Sequence, residues 1–307
     1  MPVTIRQPTR DQADTAQRGF GLLVLAGLLW GTGGVTGVAL SDSSGLGASA
    51  VAAYRLGLGG ALLVVLLLAG RRWLPRAAAA RWRIVVTGLL AAAFQACYFG
   101  AMTMASVSVS TLVTIGSAPM LVVLAQAVRR RCMPTARQVR PLLLGVVGLG
   151  LLVGGPTTPG TDPGEALLGI LLALGAGASF ATLSILAARP HRGTTPEVEI
   201  GYGFVLGGLV LAAGTLPFGT LAFTPNTQNL LLVAALAIAP TALAWTLYFR
   251  GLGHAGPAVA TLVALLEPLT ATVLAVLLLG ETVTLPLAIG GALLLLSVVD
   301  ARPRPTR

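Results

Sequence analysis

The feature that most constrains this chain is a succession of ten long apolar runs spread along its 307 residues. A bilayer core about 30 Å thick is crossed by about 20 apolar residues in a helix, so each run is long enough to span a membrane. Charged residues make up only 10% of the chain, whereas soluble domains contain about 25%. The sequence therefore predicts an all-α integral membrane protein with ten transmembrane helices and excludes a water-soluble fold.

The first apolar run is about 20 residues long, which exceeds the 7 to 15 residues usual for the apolar part of a signal peptide. We therefore expect it to remain as an uncleaved span. The ten predicted spans cover about 19–40, 46–69, 81–104, 107–128, 138–154, 165–188, 199–218, 228–250, 256–279 and 283–300.

The net charge of +10 comes from twenty basic residues that are all arginine. They cluster before span 1, in every second loop and in the tail, and the alternate loops carry none. This alternation is typical of the positive-inside rule for membrane proteins, not of nucleic-acid binding. It predicts a multi-pass protein of the bacterial inner (cell) membrane with both termini in the cytoplasm. The blocks include 71–72, 76, 81, 83, 129–131, 137, 140, 189 and 192.

A shift of 150 residues aligns the chain with itself. Tyr98-Phe99 matches Tyr248-Phe249, Thr111-Leu112-Val113 matches Thr261-Leu262-Val263, and seven of sixteen positions are identical. Because each half holds five spans, an odd number, the second half must be inserted upside down relative to the first. We predict a cytoplasmic segment 1–18, a first five-helix repeat 19–154, a periplasmic linker 155–164, a second, inverted repeat 165–300 and a cytoplasmic tail 301–307.

Several short motifs add to this pattern: Trp30-Gly31-Thr32-Gly33, Arg55, Leu266-Glu267-Pro268, Gly280-Glu281 and Gly290-Gly291. With the five-plus-five arrangement, they resemble the EamA family of the drug/metabolite transporter superfamily over essentially the whole chain. The resemblance implies the transporter fold of that family and the export of amino acids, drugs or other metabolites. In general character the chain is most similar to bacterial aromatic amino-acid exporters.

Two charged residues fall near the middle of predicted spans. Arg55 lies in span 2 and Glu267 in span 9, each about 14 to 16 Å from the start of its helix at 1.5 Å per residue. A charge at the centre of a bilayer costs about 2.5 to 3.5 kcal/mol on insertion scales, so such residues are functional candidates. Arg55 either holds a substrate carboxylate or pairs with Glu267, and Glu267 could titrate during transport. The alternatives are a structural ion pair and an arginine that reaches towards the headgroups.

Two prolines, Pro119 in span 4 and Pro268 in span 9, are predicted to kink their helices. A proline lacks the backbone N–H, so we expect the carbonyls of Ile115 and Ala264 to be left unpaired near the middle of the membrane. Such free acceptors suit a site beside a water-filled space. An ordinary kink, satisfied by neighbouring hydroxyls, is the alternative.

Span 4 carries hydroxyl groups along one helical face, at steps of four, four and three residues. They belong to Ser106, Ser110, Thr114 and Ser117. A polar stripe either lines the transport path or allows neighbouring helices to approach closely.

Aromatic and polar residues share faces of the two repeat-related spans 3 and 8. Facing inward, they would form an apolar cavity with a few hydrogen-bonding groups, suited to a planar side chain. Trp and Tyr also populate membrane interfaces, which is the alternative explanation. The predicted cavity residues are Gln95, Tyr98 and Met102 of span 3, Thr241, Trp245 and Tyr248 of span 8, and Trp30 and Phe180 of spans 1 and 6.

The chain contains no lysine, which excludes a Walker A motif and a Schiff base to pyridoxal phosphate. No metal or hydrolase motif occurs either, so we expect no cofactor, no metal and no enzymatic activity. The predicted function is a secondary transporter, acting as a monomer, that exports small organic metabolites, first among them amino acids. A proton is a candidate coupling partner. The alternatives are a multidrug or cationic-compound exporter and, from another class, a membrane-embedded enzyme acting on lipid-linked substrates.

Overall fold

The computed structural model describes residues 10–105, 107–153, 162–189, 191–279 and 283–303, and no strand occurs among them. Ser106, Gly280-Glu281, most of the predicted linker and the end of the tail lie outside these residues. The helices are α1 (Arg10–Ser44), α2 (Ala48–Ala69), α3 (Ala78–Met104), α4 (Val107–Arg130), α5 (Ala136–Val153), α6 (Pro163–Ala187), α7 (Pro196–Thr215), α8 (Thr227–Ala237), α9 (Ala244–Ala255), α10 (Pro257–Val263), α11 (Leu266–Leu279) and α12 (Leu285–Asp300).

Within the described residues, eight helical segments are long and apolar enough to cross a membrane, and α12 is a shorter apolar helix. The remaining predicted span is α5, which packs lengthwise against α12. Spans 1 to 7 are the helices α1 to α7. Span 8 comprises α8, a π-helical turn and α9, whereas span 9 comprises α10 and α11. The prediction of an all-α, multi-pass membrane fold is confirmed.

Span 8 contains an irregularity that the sequence analysis did not predict, a π-helical turn at Ile238–Leu243. Pro240 lies within it, and a proline in a helix both removes a donor and crowds the carbonyl four residues earlier. That carbonyl belongs to Leu236, and it accepts a hydrogen bond of 2.8 Å from the hydroxyl of Thr241. The wider turn therefore accommodates the proline while the backbone acceptor stays satisfied.

Span 9 breaks between α10 and α11, two residues before Glu267. The prediction that Pro268 leaves the carbonyl of Ala264 unpaired is wrong, because the backbone N–H of Glu267 donates to it at 3.0 Å. A tighter turn of three residues replaces the missing helical bond. Pro119 instead lies inside α4, which continues without interruption.

The packing of the helices follows a two-fold pattern. α3 packs against α6 as span 8 packs against α1, and α4 packs against α6 as α11 packs against α1. In addition, α2 packs against its repeat equivalent α7, and α5 packs against its repeat equivalent α12. The main contacts between the two halves thus occur in equivalent pairs, as two inverted five-helix repeats around a pseudo-two-fold axis require.

Glycine pairs mark the points where repeat-related helices meet. A side chain at Gly148 of α5 would lie 2.8 Å from the carbonyl oxygen of Gly290 in α12, and one at Gly290 would lie 2.7 Å from that of Gly148. Gly57 of α2 and Gly208 of α7 face each other in the same way. In lipid, where no hydrophobic force drives helices together, such close backbone contact supplies the packing energy.

Replacing Gly208 with alanine should destabilise the protein, because the new methyl group would overlap the backbone of Gly57. Overpacking costs about 1 to 3 kcal/mol, against a gain of about 1 kcal/mol in helix propensity. Gly214→Ala in the same helix is the control, since open space surrounds that position. Thermal unfolding in one detergent should show a lower midpoint for Gly208→Ala and an unchanged or higher one for Gly214→Ala. Equal midpoints would contradict close packing between α2 and α7.

Candidate functional site

Four aromatic side chains predicted from the sequence come together in the interior. The ring centroids of Trp30 and Trp245 are 5.0 Å apart, those of Trp30 and Tyr248 are 4.9 Å apart, and those of Phe180 and Tyr248 are 5.6 Å apart. Edge-to-face and tilted arrangements of this kind are favourable for aromatic pairs. All four side chains are buried, so none of them belongs to an interfacial belt.

Two of these residues, Trp30 in α1 and Phe180 in α6, occupy positions 150 residues apart. Their ring centroids lie 6.0 Å apart, so the cluster forms where the two repeats meet. Phe94 of α3 adds to the aromatic cluster. Its ring centroid lies 5.6 Å from that of Phe180, and its ring is parallel to that of Tyr98.

The equivalent tyrosines Tyr98 and Tyr248 have different surroundings. Tyr248 is 1% exposed, and its hydroxyl shares a hydrogen bond of 2.7 Å with Ser184. The hydroxyl of Tyr98 bonds to Thr111 at 2.9 Å, but the residue remains partly accessible. Tyr248 is therefore fully enclosed by protein, whereas its counterpart Tyr98 keeps some accessible surface.

The two intramembrane charges, Arg55 and Glu267, are likewise partly accessible. Arg55 and Glu267 are deeply enclosed by protein, yet both side chains keep accessible surface. Gly33 of α1 lies beside the guanidinium of Arg55, and Gly31 lies against the backbone of Glu267. The break in span 9 places Glu267 in the first turn of α11, where the helix dipole favours a negative charge.

Arg55 and Glu267 form no direct ion pair, since the salt bridges of the described residues involve other groups. Their charges still act on each other, and that of Arg55 also acts on Tyr98. The two side chains are thus close enough for their charges to interact, but too far apart for an ion pair. The alternative of a direct structural ion pair does not apply to this conformation.

Several buried polar atoms among the described residues lack a hydrogen-bond partner. In the described part of the chain, Nε1 of Trp30, Nε of Arg55 and Oγ of Ser110 are buried without a hydrogen-bond partner. Buried polar groups are nearly always paired, and two of these three atoms can only donate. A bound group with acceptor oxygens would complete them.

The other predicted polar residues make contacts within the helix bundle. Thr114 donates to the carbonyl of Ala173 at 3.1 Å and links α4 to α6. Ser117 donates to the carbonyl of Thr114 at 3.3 Å, the Thr241 side chain packs over Gly59, and Gln95 is buried. These residues contribute to packing in this conformation.

A buried ion pair that the sequence analysis missed closes one end of the bundle. Arg83 at the start of α3 binds both carboxylate oxygens of Glu199 in α7, at 2.8 and 3.0 Å. Its Nη2 also donates to the carbonyl of Leu186 in α6 at 2.9 Å. A signal was present in the sequence: Arg83 was counted among the arginines of the second loop, but position 83 also lies inside predicted span 3 (81–104), and Glu199 is the first residue of predicted span 7 (199–218). We call this end, which carries the arginine blocks, the arginine-rich end.

A neighbouring acid adds to this closure. Glu197 accepts a hydrogen bond of 2.7 Å from Arg250 of α9 and lies 3.9 Å from Arg72, which follows α2. At the opposite end, two bonds between separate segments are neutral. Ser43 of α1 bonds to Asn229 of α8 at 2.7 Å, and the Tyr54 hydroxyl of α2 donates to the carbonyl of Leu221, between α7 and α8, at 2.6 Å.

Inverted helical repeats that carry an arginine and a glutamate within their spans, Arg55 in α2 and Glu267 in α11, are an architecture of membrane transporters. No group of three or more His, Cys, Asp or Glu residues that could hold a metal occurs in the described ranges.

A model of the EamA-like transporter family matches the chain twice, over residues 17–154 and 167–299. The chain belongs to this family. Membership supports a transporter and not an enzyme.

Relatives span nearly the whole chain. It is 27% identical over 292 residues to an uncharacterized transporter, YwfM, of Bacillus subtilis, covering 92% of this chain and 93% of that protein. It is also 27% identical over 300 residues to an uncharacterized inner membrane transporter, YicL, of Salmonella typhimurium, covering 94% and 98%. A crystal structure with 23% identity matches with a TM-score of 0.76 over 94% of this chain and 97% of that one, which shows a common fold.

Cysteines placed at the two equivalent tyrosines should differ in reactivity. In a background with Cys97→Ser and Cys132→Ser, Tyr98→Cys should react with a small polar thiol reagent at least about tenfold faster than Tyr248→Cys, since enclosed thiols are inert. The rates are measured by mass spectrometry on the purified protein in detergent. Similar rates at both positions would contradict an interior open towards Tyr98 only.

Proposed function

We propose that the protein is a secondary transporter that exports amino acids, with aromatic ones preferred, by alternating access through its interior space. One observation carries the proposal: Arg55 and Glu267, of opposite charge, lie within the spans close enough for their charges to interact but form no ion pair. A zwitterion presents the complementary pair of charges. The aromatic cluster beside them offers a surface for a planar side chain.

The unpaired donors favour a carboxylate on the side of Arg55. The Nε–H of Arg55 and the indole N–H of Trp30 both lack an acceptor, and a carboxylate offers several lone pairs. Charge-assisted bonds of this kind are roughly twice as strong as neutral ones. Glu267 would then receive the ammonium group of the substrate.

The unequal surroundings of Tyr98 and Tyr248 support alternating access. Because the repeats are related by a pseudo-two-fold axis, an exchange of their conformations would bury Tyr98 and expose Tyr248. The space would then open at the arginine-rich end in place of the opposite one. A channel, open along its whole length, would not need to seal one tyrosine of the pair.

The charge pattern supports an orientation with the arginine-rich end in the cytoplasm and both chain ends there. A relative carries the words inner membrane in its name, which favours the bacterial inner membrane for this chain. Ten spans include both repeats, so a monomer holds a complete path.

A multidrug or cationic-compound exporter is the second candidate. The observation that favours it is the unpaired carboxylate of Glu267, which could bind an organic cation without help from Arg55. The two candidates differ in whether the substrate needs a carboxylate, and that difference can be tested directly.

Replacing Arg55 with glutamine should weaken transport of an aromatic amino acid at least tenfold in apparent affinity, because a charge-assisted bond contributes about 1.5 to 3 kcal/mol. Transport of the amine that remains after decarboxylation of the same compound should change little. Uptake of both radiolabelled compounds is compared in liposomes, with the exposed Arg18→Gln as the control variant.

Two outcomes would count against the proposal. Equal losses for the acid and the amine would assign Arg55 to structure, and transport of the amine alone by the unaltered protein would favour the cation exporter.

Replacing Glu267 with glutamine should abolish uphill transport driven by a proton gradient, while exchange of substrate across the liposome membrane persists at saturating substrate concentration with a weaker apparent affinity. The carboxylate is the titratable acid that borders the interior space, and the amide cannot carry a proton through the cycle. Concentrative uptake and counterflow are measured on the same preparation. Survival of concentrative uptake would exclude proton coupling through Glu267.

A further inference from the structure

A cavity of about 300 Å³ lies at the arginine-rich end, between α4, α6 and α10. Three arginines surround it: Arg129 and Arg130 in the last turn of α4, and Arg189 just after α6. Gln126 adds a polar group, and the rest of the wall is apolar or backbone. None of the described residues that line the cavity is acidic.

The positive charge of this cavity is not neutralised by the described protein. Arg72, Arg83, Arg140 and Arg250 each pair with a carboxylate, but none of the three cavity arginines does so within the described ranges. Two helix ends contribute about half a negative charge each. Against three full positive charges, about two remain for a ligand to balance.

A second cavity of about 330 Å³ adjoins the first on the other side of α4. The two share Gln126 and Arg130, and the second extends to Cys132 and Gln138. Arg130 therefore lies between two spaces, both large enough for a phosphate and its glycerol. Both are found where the spans end, which is the level of the lipid headgroups.

Apolar side chains continue from these cavities along the outer surface of the bundle. Ala125 and Leu124 of α4 are exposed below the arginines, and Ile185 of α6 forms part of the wall. Acyl chains could follow this surface while the headgroup stays at the arginines. A free phosphate would make no favourable contact with these apolar side chains.

We propose that the two cavities beside Arg130 bind the headgroup of an anionic phospholipid. Its phosphodiester is held by Arg129, Arg130 and Arg189, and its glycerol lies near Gln126. Basic pockets between transmembrane helices are suited to such headgroups, and guanidinium groups match phosphate oxygens with two parallel bonds.

The position of the site has a structural effect. α4 belongs to the first repeat, whereas α6 and α10 belong to the second. A bound lipid would connect the two repeats at this end and stabilise the folded protein by mass action. The site does not involve Arg55 or Glu267, so the inference stands whether or not the transport proposal is correct.

The test is the thermal stability of the purified full-length protein in detergent micelles with added phosphatidylglycerol or phosphatidylcholine. We expect phosphatidylglycerol alone to raise the unfolding midpoint, with saturation. Combined replacement of Arg129, Arg130 and Arg189 by glutamine should weaken the apparent lipid affinity about tenfold or more. The control replaces Arg71, Arg76 and Arg81, which are exposed arginines outside the cavities, and should keep the effect.

Cys132 gives an independent readout because it lines the second cavity and is exposed. Phosphatidylglycerol should slow its alkylation in the protein with native arginines, but not in the triple variant of the cavity. Inorganic phosphate and glycerol phosphate are tested in parallel.

Equal protection by these small anions would overturn the lipid assignment in favour of a free anion. Equal loss in the two triple variants would reduce the effect to general electrostatic attraction and would also overturn it.

Discussion

Helices in a bilayer gain nothing by hiding apolar surface from lipid, so this fold depends on how closely its backbones approach one another. The glycine contacts between α5 and α12 and between α2 and α7 provide that approach at the pseudo-two-fold axis. α1 lies against α11 in the same way through Gly27 and Gly31. Larger side chains meet elsewhere between the repeats, in the aromatic cluster around Trp30 and Phe180.

The sequence predicted the fold well because span length, charge alternation and internal similarity are all encoded locally. A run of about 20 apolar residues has one structural solution in lipid, and the matched Tyr-Phe pairs show the duplication. Trp30, Phe180, Trp245 and Tyr248, which were expected to face inward, are buried against one another; that they line a substrate cavity stays a prediction. The break before Glu267 and the π turn at Pro240 were not predicted, since a proline can be accommodated by several backbone geometries.

Side-chain partners were harder to predict than positions. Arg55 and Glu267 are visible in the sequence, but whether they pair depends on how α1 separates them. Arg83 was assigned to an arginine-rich loop by the pattern, and only the packing of α3 against α6 and α7 shows that it is buried with Glu199. Thr114 and Thr241 lie on predicted polar faces, yet their hydroxyls satisfy backbone carbonyls. Helical periodicity gives the face of a helix but not the neighbour that covers it.

The chemistry of the closed end has a consequence for reversibility. If leucines closed this end, separating α3 from α7 would expose apolar surface to water, and the free-energy cost would rise with the exposed area. Arg83 and Glu199 hold each other while dry, but once water enters, hydration of the two ions returns much of what their attraction gave. The free-energy cost of separating α3 from α7 at this contact is therefore concentrated in the first step, when the ion pair breaks, and rises little once both ions are hydrated.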